Sequence, residues 1–456
     1  MLKSKPILSI ICLLAVTTLL FSGCASISAE RQTQLEQSNE EETEMPFEPV
    51  FRFVIGSDVH ISAGDQTSTD RLKQMIRTAY RYSDTHPTYQ ALDAFLLAGD
   101  NADTGSDAEY EILTDVLNSE LRPETTRITI MGNHEFNQTG HEGYVRHMGE
   151  ELDKHVVVKG FHFIGISPAP KDTWQTPKQI FWMAKELRKA AKDDPEKPIF
   201  TMQHGHIYNT VYVSHDWYTQ MSLPLHLVYS RYPQVVNFSG HSHAPINHPK
   251  NIWQNSYTQV GCGTLFYFEM QRDIGDSTVP ENAREAAQYL IVEVDAQNRI
   301  KMQPFNLLTN DFMKTPATTD DPEKQLVYFV HDAKDKSGYV YTKARKKTAA
   351  APFFESGDEI LAEEIAADHV TLSFPHAESD ECVYGYRIRL QDLQHKTEAI
   401  EKEIYSQFFL EPLPEREHVT IDGLLADTTY QVSVVPLDVW LNTGEPLQTE
   451  IVTGSP

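Results

Sequence analysis

Five apolar runs of this chain each end on side chains able to bind a metal: Asp58-Val59-His60, Gly99-Asp100, Gly132-Asn133-His134, His204, and His241-Ser242-His243. Taken singly they carry little information, since Gly-Asp is a common turn. As an ordered set they carry much more, because open α/β sheets place their sites outside the carboxyl ends of strands. Carboxylates, an Asn carbonyl and imidazoles form an oxygen and nitrogen donor set suited to Mn, Fe, Zn or Ni. Two such ions about 3.5–4 Å apart need a shared ligand, and a carboxylate bridges where an imidazole does not, so one Asp is expected to serve both. A dimetal pair clamps the attacking and leaving oxygens of an in-line displacement and supplies hydroxide near neutral pH. Phosphoester hydrolysis is the reaction that uses all of this.

The elements that must carry these groups are legible as periods of two and of 3.6 residues. Phe51, Phe53 and Ile55 alternate as a strand up to Ser57-Asp58, and Leu72, Met75, Ile76 and Ala79 follow at helical spacing. Ala94 to Ala98 and Ile128 to Met131 are predicted strands, with Tyr110, Leu113, Val116 and Leu117 marking a helix between them. Val156 to Val158 and Phe161 to Ile166 flank Lys159-Gly160 as a hairpin. Thr176-Pro177-Lys178-Gln179 is a capping box with Pro at the first helical position, so a helix is predicted to about Lys192. Further strands are Ile199 to Gln203, Val235 to Phe238, and the antiparallel pair Tyr289 to Val294 and Ile300 to Phe305. The fold class predicted is α/β.

The five blocks, in this order, resemble the calcineurin-like metallophosphoesterase superfamily, whose pattern is Asp-x-His, Gly-Asp-x-x-Asp, Gly-Asn-His-Asp/Glu, a lone His, and Gly-His-x-His. The resemblance implies two facing mixed β-sheets flanked by helices, over residues 49–310. It implies a metal site of Asp58, His60, Asp100 and His243, and a second of Asp100, Asn133, His204 and His241, with Asp100 bridging. His134 is then the general acid that protonates the leaving oxygen, and Asp103 the carboxylate that orients it. Gln203-His204-Gly205-His206 offers two candidates for the lone His; His204 ends the strand, and His206 is otherwise a substrate-side or exposed residue. His141, just after the Gly-Asn-His-Glu loop, is the other His expected near substrate. The aromatics between His206 and Pro233 are read either as a lid near the metals or as packing for that excursion, with packing the weightier reading.

Composition narrows the rest. A formal net charge of −26 over 456 residues excludes a long nucleic acid as bound partner, which needs a basic face. Lys3 and Lys5, the apolar run Ile7 to Phe21, and Ser22-Gly23-Cys24 read as a signal segment, 1–23, resembling the lipobox of bacterial lipoproteins, with Cys24 the lipid site. Export to the cell surface as a membrane lipoprotein is expected, and secretion after ordinary cleavage is the alternative. Residues 24–48 are polar and acidic, a flexible tether. Cys262 and Cys382 read as two buried free thiols.

From about Lys324 the texture turns to short alternating runs without ligand clusters, and Leu425 to Tyr430 resembles the tyrosine corner of a fibronectin type III domain. The expectation is an immunoglobulin-like β-sandwich over 324–456 that binds a surface glycan or protein, although Gln394 to Tyr405 looks helical. The functional expectation is an exported dimetal enzyme acting on a small or cell-surface phosphomonoester or phosphodiester. Its rival is a catalytically weak surface binding protein in which the sandwich carries recognition.

Overall fold

The computed structural model describes residues 45–456 except 170–173, 276, 286, 320, 322 and 396. The signal segment, Cys24 and nearly all of the tether lie outside the described residues. Residues 48–456 form one compact unit. In its first part β1 (Pro49–Gly56), α1 (Gln66–Thr85), β2 (Ala94–Ala98), α2 (Asp107–Glu120), β3 (Thr126–Ile130) and α3 (Gly140–Met148) alternate. They are followed by β4 (Lys154–Val158), β5 (Phe161–Ile166), α4 (Pro177–Asp193), β6 (Ile199–Gln203), α5 (Ser222–Tyr229) and β7 (Val235–Ser239). Short strands β8 (Ile252–Gln254) and β9 (Thr258–Gly261) precede the long pair β10 (Gln288–Asp295) and β11 (Ile300–Asn306), then β12 (Asp311–Phe312) and β13 (Tyr328–Val330).

These strands build two sheets. One has the order β12-β11-β10-β1-β2-β3, with β13 also on β11; the other has the order β4-β5-β6-β7-β9-β8. The neighbours β1, β2 and β3 run parallel, as do β5, β6, β7 and β9, while β10, β11 and β4 add antiparallel edges. Period two sorts the side chains. Phe51, Phe53 and Ile55 point between the sheets, where Phe51 meets Phe161 at 4.6 Å and Phe53 meets Phe200 at 4.8 Å between ring centroids. Val54, Phe95 and Leu97 point the other way, onto Leu72, Met75 and Ile76 of α1 and Leu113 and Leu117 of α2. Ile164 and Ile199 of the second sheet cover Met183 and Leu187 of α4 in the same manner. Each apolar face is thereby removed from water, at about 25 cal/mol per Å². The capping box of α4 forms as expected, Thr176 accepting from the Gln179 amide.

The second part is all β. Strands β14 (Leu361–Ile365), β15 (His369–Pro375) and β18 (Arg416–Asp422) make one antiparallel sheet. Strands β16 (Val383–Asp392), β17 (Ile400–Tyr405), β19 (Thr429–Asp438) and β20 (Leu447–Val452) make another, in the order β17-β16-β19-β20. Val370, Leu372 and Phe374 of the first meet Ile388, Leu390, Val432 and Val434 of the second in one core. The Tyr430 hydroxyl accepts from the Leu425 amide at 2.9 Å.

Two expectations are corrected here. The β-only part does not begin at 324: β13 pairs with β11, and Tyr328, Val330 and Ala333 lie in the core between the first two sheets, so the chain leaves that body only afterwards. Gln394 to Tyr405 is not helical; its alternating charges belong to β17, where Glu403 and Glu401 face Arg387 and Arg389 across the strand pair. The two parts are joined by a shared cluster that contains Tyr212, Ala244, Phe268, Tyr384, Phe408 and Leu437. There the Tyr212 and Tyr384 hydroxyls bond at 2.8 Å, and the Asn247 amide donates to the Phe408 carbonyl.

Candidate metal centre

The five motif blocks all follow the carboxyl ends of parallel strands: Asp58 and His60 after β1, Asp100 after β2, Asn133 and His134 after β3, His204 after β6, His241 and His243 after β7. Because the two sheets face each other with these ends at one rim, groups up to 185 positions apart in sequence converge. Asp58, His60 and His243 bring ligand atoms within 4.8 Å of one another, and so do Asp100, His204 and His241, and His60, Asp100 and His134. The backbone is bent sharply to achieve this. Asp58, His60, Asp100, His241 and His243 all have φ between 49° and 71°, a region that non-glycine residues enter at a cost held by surrounding structure. Gly132 lies so close to the site that a Cβ there would stand 2.1 Å from Asp100 Oδ1 and 2.7 Å from His204 Nε2.

The hydrogen bonds fix which nitrogens face inward. His60 Nδ1 is 3.1 Å from the Asp103 carboxylate, His204 Nδ1 is 2.8 Å from the Ala98 carbonyl, and His243 Nδ1 is 2.9 Å from the Tyr267 carbonyl. Each acceptor places the proton on Nδ1 and turns the Nε2 lone pair toward the centre, the arrangement that orients imidazole for a metal. His60 Nε2 and His243 Nε2 then face each other at 3.2 Å, with Asp58 Oδ1 3.2 Å from the latter. His204 Nε2 lies 3.0 Å from Asp100 Oδ2 without being aligned to bond it, and Asn133 Oδ1 is buried with no partner. Inward lone pairs and an orphaned buried carbonyl are costly unless a cation collects them. The donor set therefore fits transition-metal ions.

Electrostatics agree. Burial would raise the Asp58 carboxyl, but His243 and His204 beside it hold it below the ordinary carboxylate value. Burial disfavours a charged His204, yet Asp100 and Asp58 overcome this and push the imidazole up to about 9. Asp100 is likewise depressed, burial opposing and His204 prevailing. The carboxylates thus draw positive charge onto a ligand nitrogen where a cation would supply it.

Two expectations about single residues change, those for Asp103 and His206. The Asp103 carboxylate bonds His60, a ligand candidate, and stands 3.7 Å from His134 Nδ1; it is the Asp103 main-chain carbonyl that His134 Nδ1 bonds, at 2.7 Å. The main chain of Asp103, and not its carboxylate, holds the His134 ring. His206 is neither substrate-side nor exposed: it is fully buried, with Nδ1 2.6 Å from the Ser239 hydroxyl and Nε2 2.7 Å from that of Ser242, leaving no nitrogen for metal or substrate. It braces the Gly-His-Ser-His turn from behind. His141 is half-buried, held by the Pro168 carbonyl at 2.8 Å and packed on Phe136.

Some neighbours had little or no signal in the sequence. Glu135 is wholly buried and accepts from the amides of Asn101, Ala102 and Gly132, tying the loops after β2 and β3 together. Its place in Gly-Asn-His-Glu is visible in sequence; its staple role is not. Trp174 and Trp217 flank the His241 ring at 4.6 and 4.9 Å, and Phe266 stacks on His60 at 4.8 Å. Of the aromatics between His206 and Pro233, Tyr212 and Tyr229 pack inward, Trp217 reaches the centre, and Tyr208 and Tyr218 are exposed. Cys262 and Cys382 are buried free thiols.

Comparison with known proteins bears on the same region. Residues 51–245 match the family described as calcineurin-like phosphoesterase, which supports a phosphoesterase-like domain there and a metal-dependent phosphoester hydrolase in general terms. No curated protein sequence matches the chain. Among solved structures, the purple acid phosphatase PPD1 from yellow lupin is similar at 15% identity and a TM-score of 0.43, over 58% of this chain and 52% of that one. The FN5 domain of Drosophila Lar (16% identity, TM-score 0.17) covers 24% of this chain and 99% of its own length. The fn3 domain of human contactin 1 (18%, TM-score 0.19) covers 24% and 84%.

Proposed function

We propose that the chain is an exported dimetal phosphoesterase, hydrolysing a phosphomonoester or phosphodiester of small or surface-bound substrates. The observation that carries this is the convergence of three inward Nε2 atoms, two buried carboxylates and the orphaned Asn133 carbonyl, each imidazole fixed from behind by an oxygen. Asp58, His60, Asp100 and His243 would hold one ion, and Asp100, Asn133, His204 and His241 the other. When bound, the pair supplies positive charge to the phosphoryl oxygens and makes water acidic enough to serve as nucleophile near neutral pH.

The chain's own groups do the rest. His134 is about one third exposed, so its ring can meet a substrate. Its Nδ1 proton goes to the Asp103 carbonyl, which leaves Nε2 to carry the proton that the departing ester oxygen needs. Trp174 and Trp217 pack against the His241 ring and cover part of it, and excluding water there strengthens electrostatic attraction at the centre.

The remaining parts of the reading concern placement. The strand order of the C-terminal sheets and the Tyr430 corner support a fibronectin type III-like sandwich; binding of a surface glycan or protein is the role proposed for it. The lipobox-like Ser22-Gly23-Cys24 supports anchorage at the cell surface through a lipid on Cys24.

The test is metal content with activity. Purified protein is expected to hold close to two transition-metal ions per chain and to hydrolyse aryl phosphate esters. Chelation should abolish turnover and readdition of Mn, Fe, Zn or Ni restore it. Full-rate hydrolysis by protein freed of metal would overturn the proposal.

A further inference from the structure

A chain that carries 65 acidic and 39 basic residues nevertheless gathers cations at one place. A pocket of about 220 Å³ is lined by Lys250 from the catalytic body, by Lys343, Arg345 and Lys346 from the segment between the two parts, and by Trp440 from the C-terminal sheets. Lys250 and the other three come from stretches nearly a hundred residues apart, so the cluster is made by folding and not by one basic run.

Among the described residues, the only carboxylate within ion-pair distance of these four cations is Glu381, beside Arg345. Among the described residues the Lys250 ammonium has no carboxylate within ion-pair distance; it sits 5.4 Å over the Trp440 ring and 5.9 Å over the Tyr212 ring. Arg345 lies over both Tyr341 and Trp440, donates to the Pro249 carbonyl, and reaches Glu381 only at 4.0 Å, while its Nε is buried without a partner. Lys343 donates to Asn209, a neutral acceptor. Burial depresses the Lys250 ammonium; Asp273 and Asp438 partly oppose this, Lys346 adds to it, and Glu381 opposes it more weakly. An oxyanion in the pocket would offset both the mutual repulsion and the desolvation.

A second cavity, of about 600 Å³, opens alongside and shares Asn209, Trp253, Thr342 and Lys343 with the first. Its other walls include Tyr208, His226 and Tyr339, polar aromatic surfaces suited to a ring or sugar. We propose that the two cavities form a non-hydrolytic ligand site for a small organic phosphate, its phosphoryl group among Lys250, Arg345 and Lys346 and its organic part against Tyr208 and Tyr339. The site holds no candidate metal ligand cluster among the described residues, so it can bind phosphate but lacks the means to cleave it. It does not depend on the hydrolytic reading. It does adjoin the centre through one segment, since Asn209 to Tyr212, Ser214 and His215 line the pocket and Trp217 touches His241.

Phenylphosphonate, whose P–C bond resists hydrolysis, is the probe. Calorimetric titration of the full, metal-loaded protein is expected to show a site that disappears, or weakens at least tenfold, in Lys250→Met/Lys346→Ser, with turnover of an aryl phosphate retained. Lys346→Glu, at an exposed position, should weaken the same site at least tenfold if the double variant folds poorly. Equal stoichiometry and affinity in wild type and Lys346→Glu would overturn the proposal. So would lysine-dependent capture by phosphatidylglycerol vesicles, and not by phosphatidylcholine ones, without binding of phenylphosphonate, because the surface would then serve a membrane. Loss of aryl phosphate hydrolysis with phenylphosphonate binding intact would count against the catalytic reading and leave this one standing.

Discussion

His134 and Asp103 divide two tasks that a motif comparison merges. The carbonyl of Asp103 sets the His134 ring, and its carboxylate sets the His60 ring, so the two functions separate by mutation. His134→Ala should keep both metals and lose about 10²–10⁴-fold in rate, most severely with poor leaving groups. Equal loss on activated aryl esters would contradict proton donation. Asp103→Asn keeps the carbonyl, so its leaving-group dependence should match wild type, while metal retention against a chelator falls by about 10–100-fold. A variant that instead lost rate with unchanged metal affinity would return Asp103 to the role of orienting His134. His204 and His206 show how much two positions matter: both follow the same strand, but only His204 turns toward the ligands, while both nitrogens of His206 are used by serines.

At the level of elements, the strand ends and the tight loops after them are what make the centre. Gly132 has to be a glycine because the loop after β3 passes against Asp100 and His204. Gly132→Ala is therefore expected to displace those ligands, reducing metal content below one ion per chain in elemental analysis even where circular dichroism is unchanged. Metal content near two would show that the loop relaxes. Sequence periodicity found the elements whose two faces differ, such as β1 and α1, since burial imposes a pattern on them. It failed on β17, where exposed Glu and Lys alternate without a clear apolar face, and on β13, a three-residue strand whose only reason to exist is the open edge of β11.

In the molecule as a whole, one buried ion group ties together three neighbouring strands inside the first sheet. Arg52 on β1 donates to Glu293 on β10 at 2.6 Å with both side chains fully buried, and Lys301 on β11 adds a contact at 2.8 Å. Burial alone would raise the Glu293 carboxyl; Lys301 and Arg52 outweigh it and lower it. A carboxyl depressed on folding contributes stability that is present above its unfolded value of about 4.3 and is lost as pH falls through the folded value. Glu293→Gln should accordingly cost about 3–5 kcal/mol at pH 7, and the deficit should shrink on acidification below about pH 4.3 in denaturant titrations. A deficit independent of pH would show that packing, and not charge, is what the pair supplies. The sequence by itself determined the ordered set of ligand types, the α/β alternation beneath them and the change to an all-β texture, because these are written in local periods and in residues whose chemistry is intrinsic. Tertiary structure alone decided which His turns toward the candidate ligand cluster, which atom of Asp103 holds His134, and that Lys250 and Lys346 line one pocket. Those outcomes depend on where loops from separate strands pass one another, and that is set by how the two sheets pack and not by any local spacing.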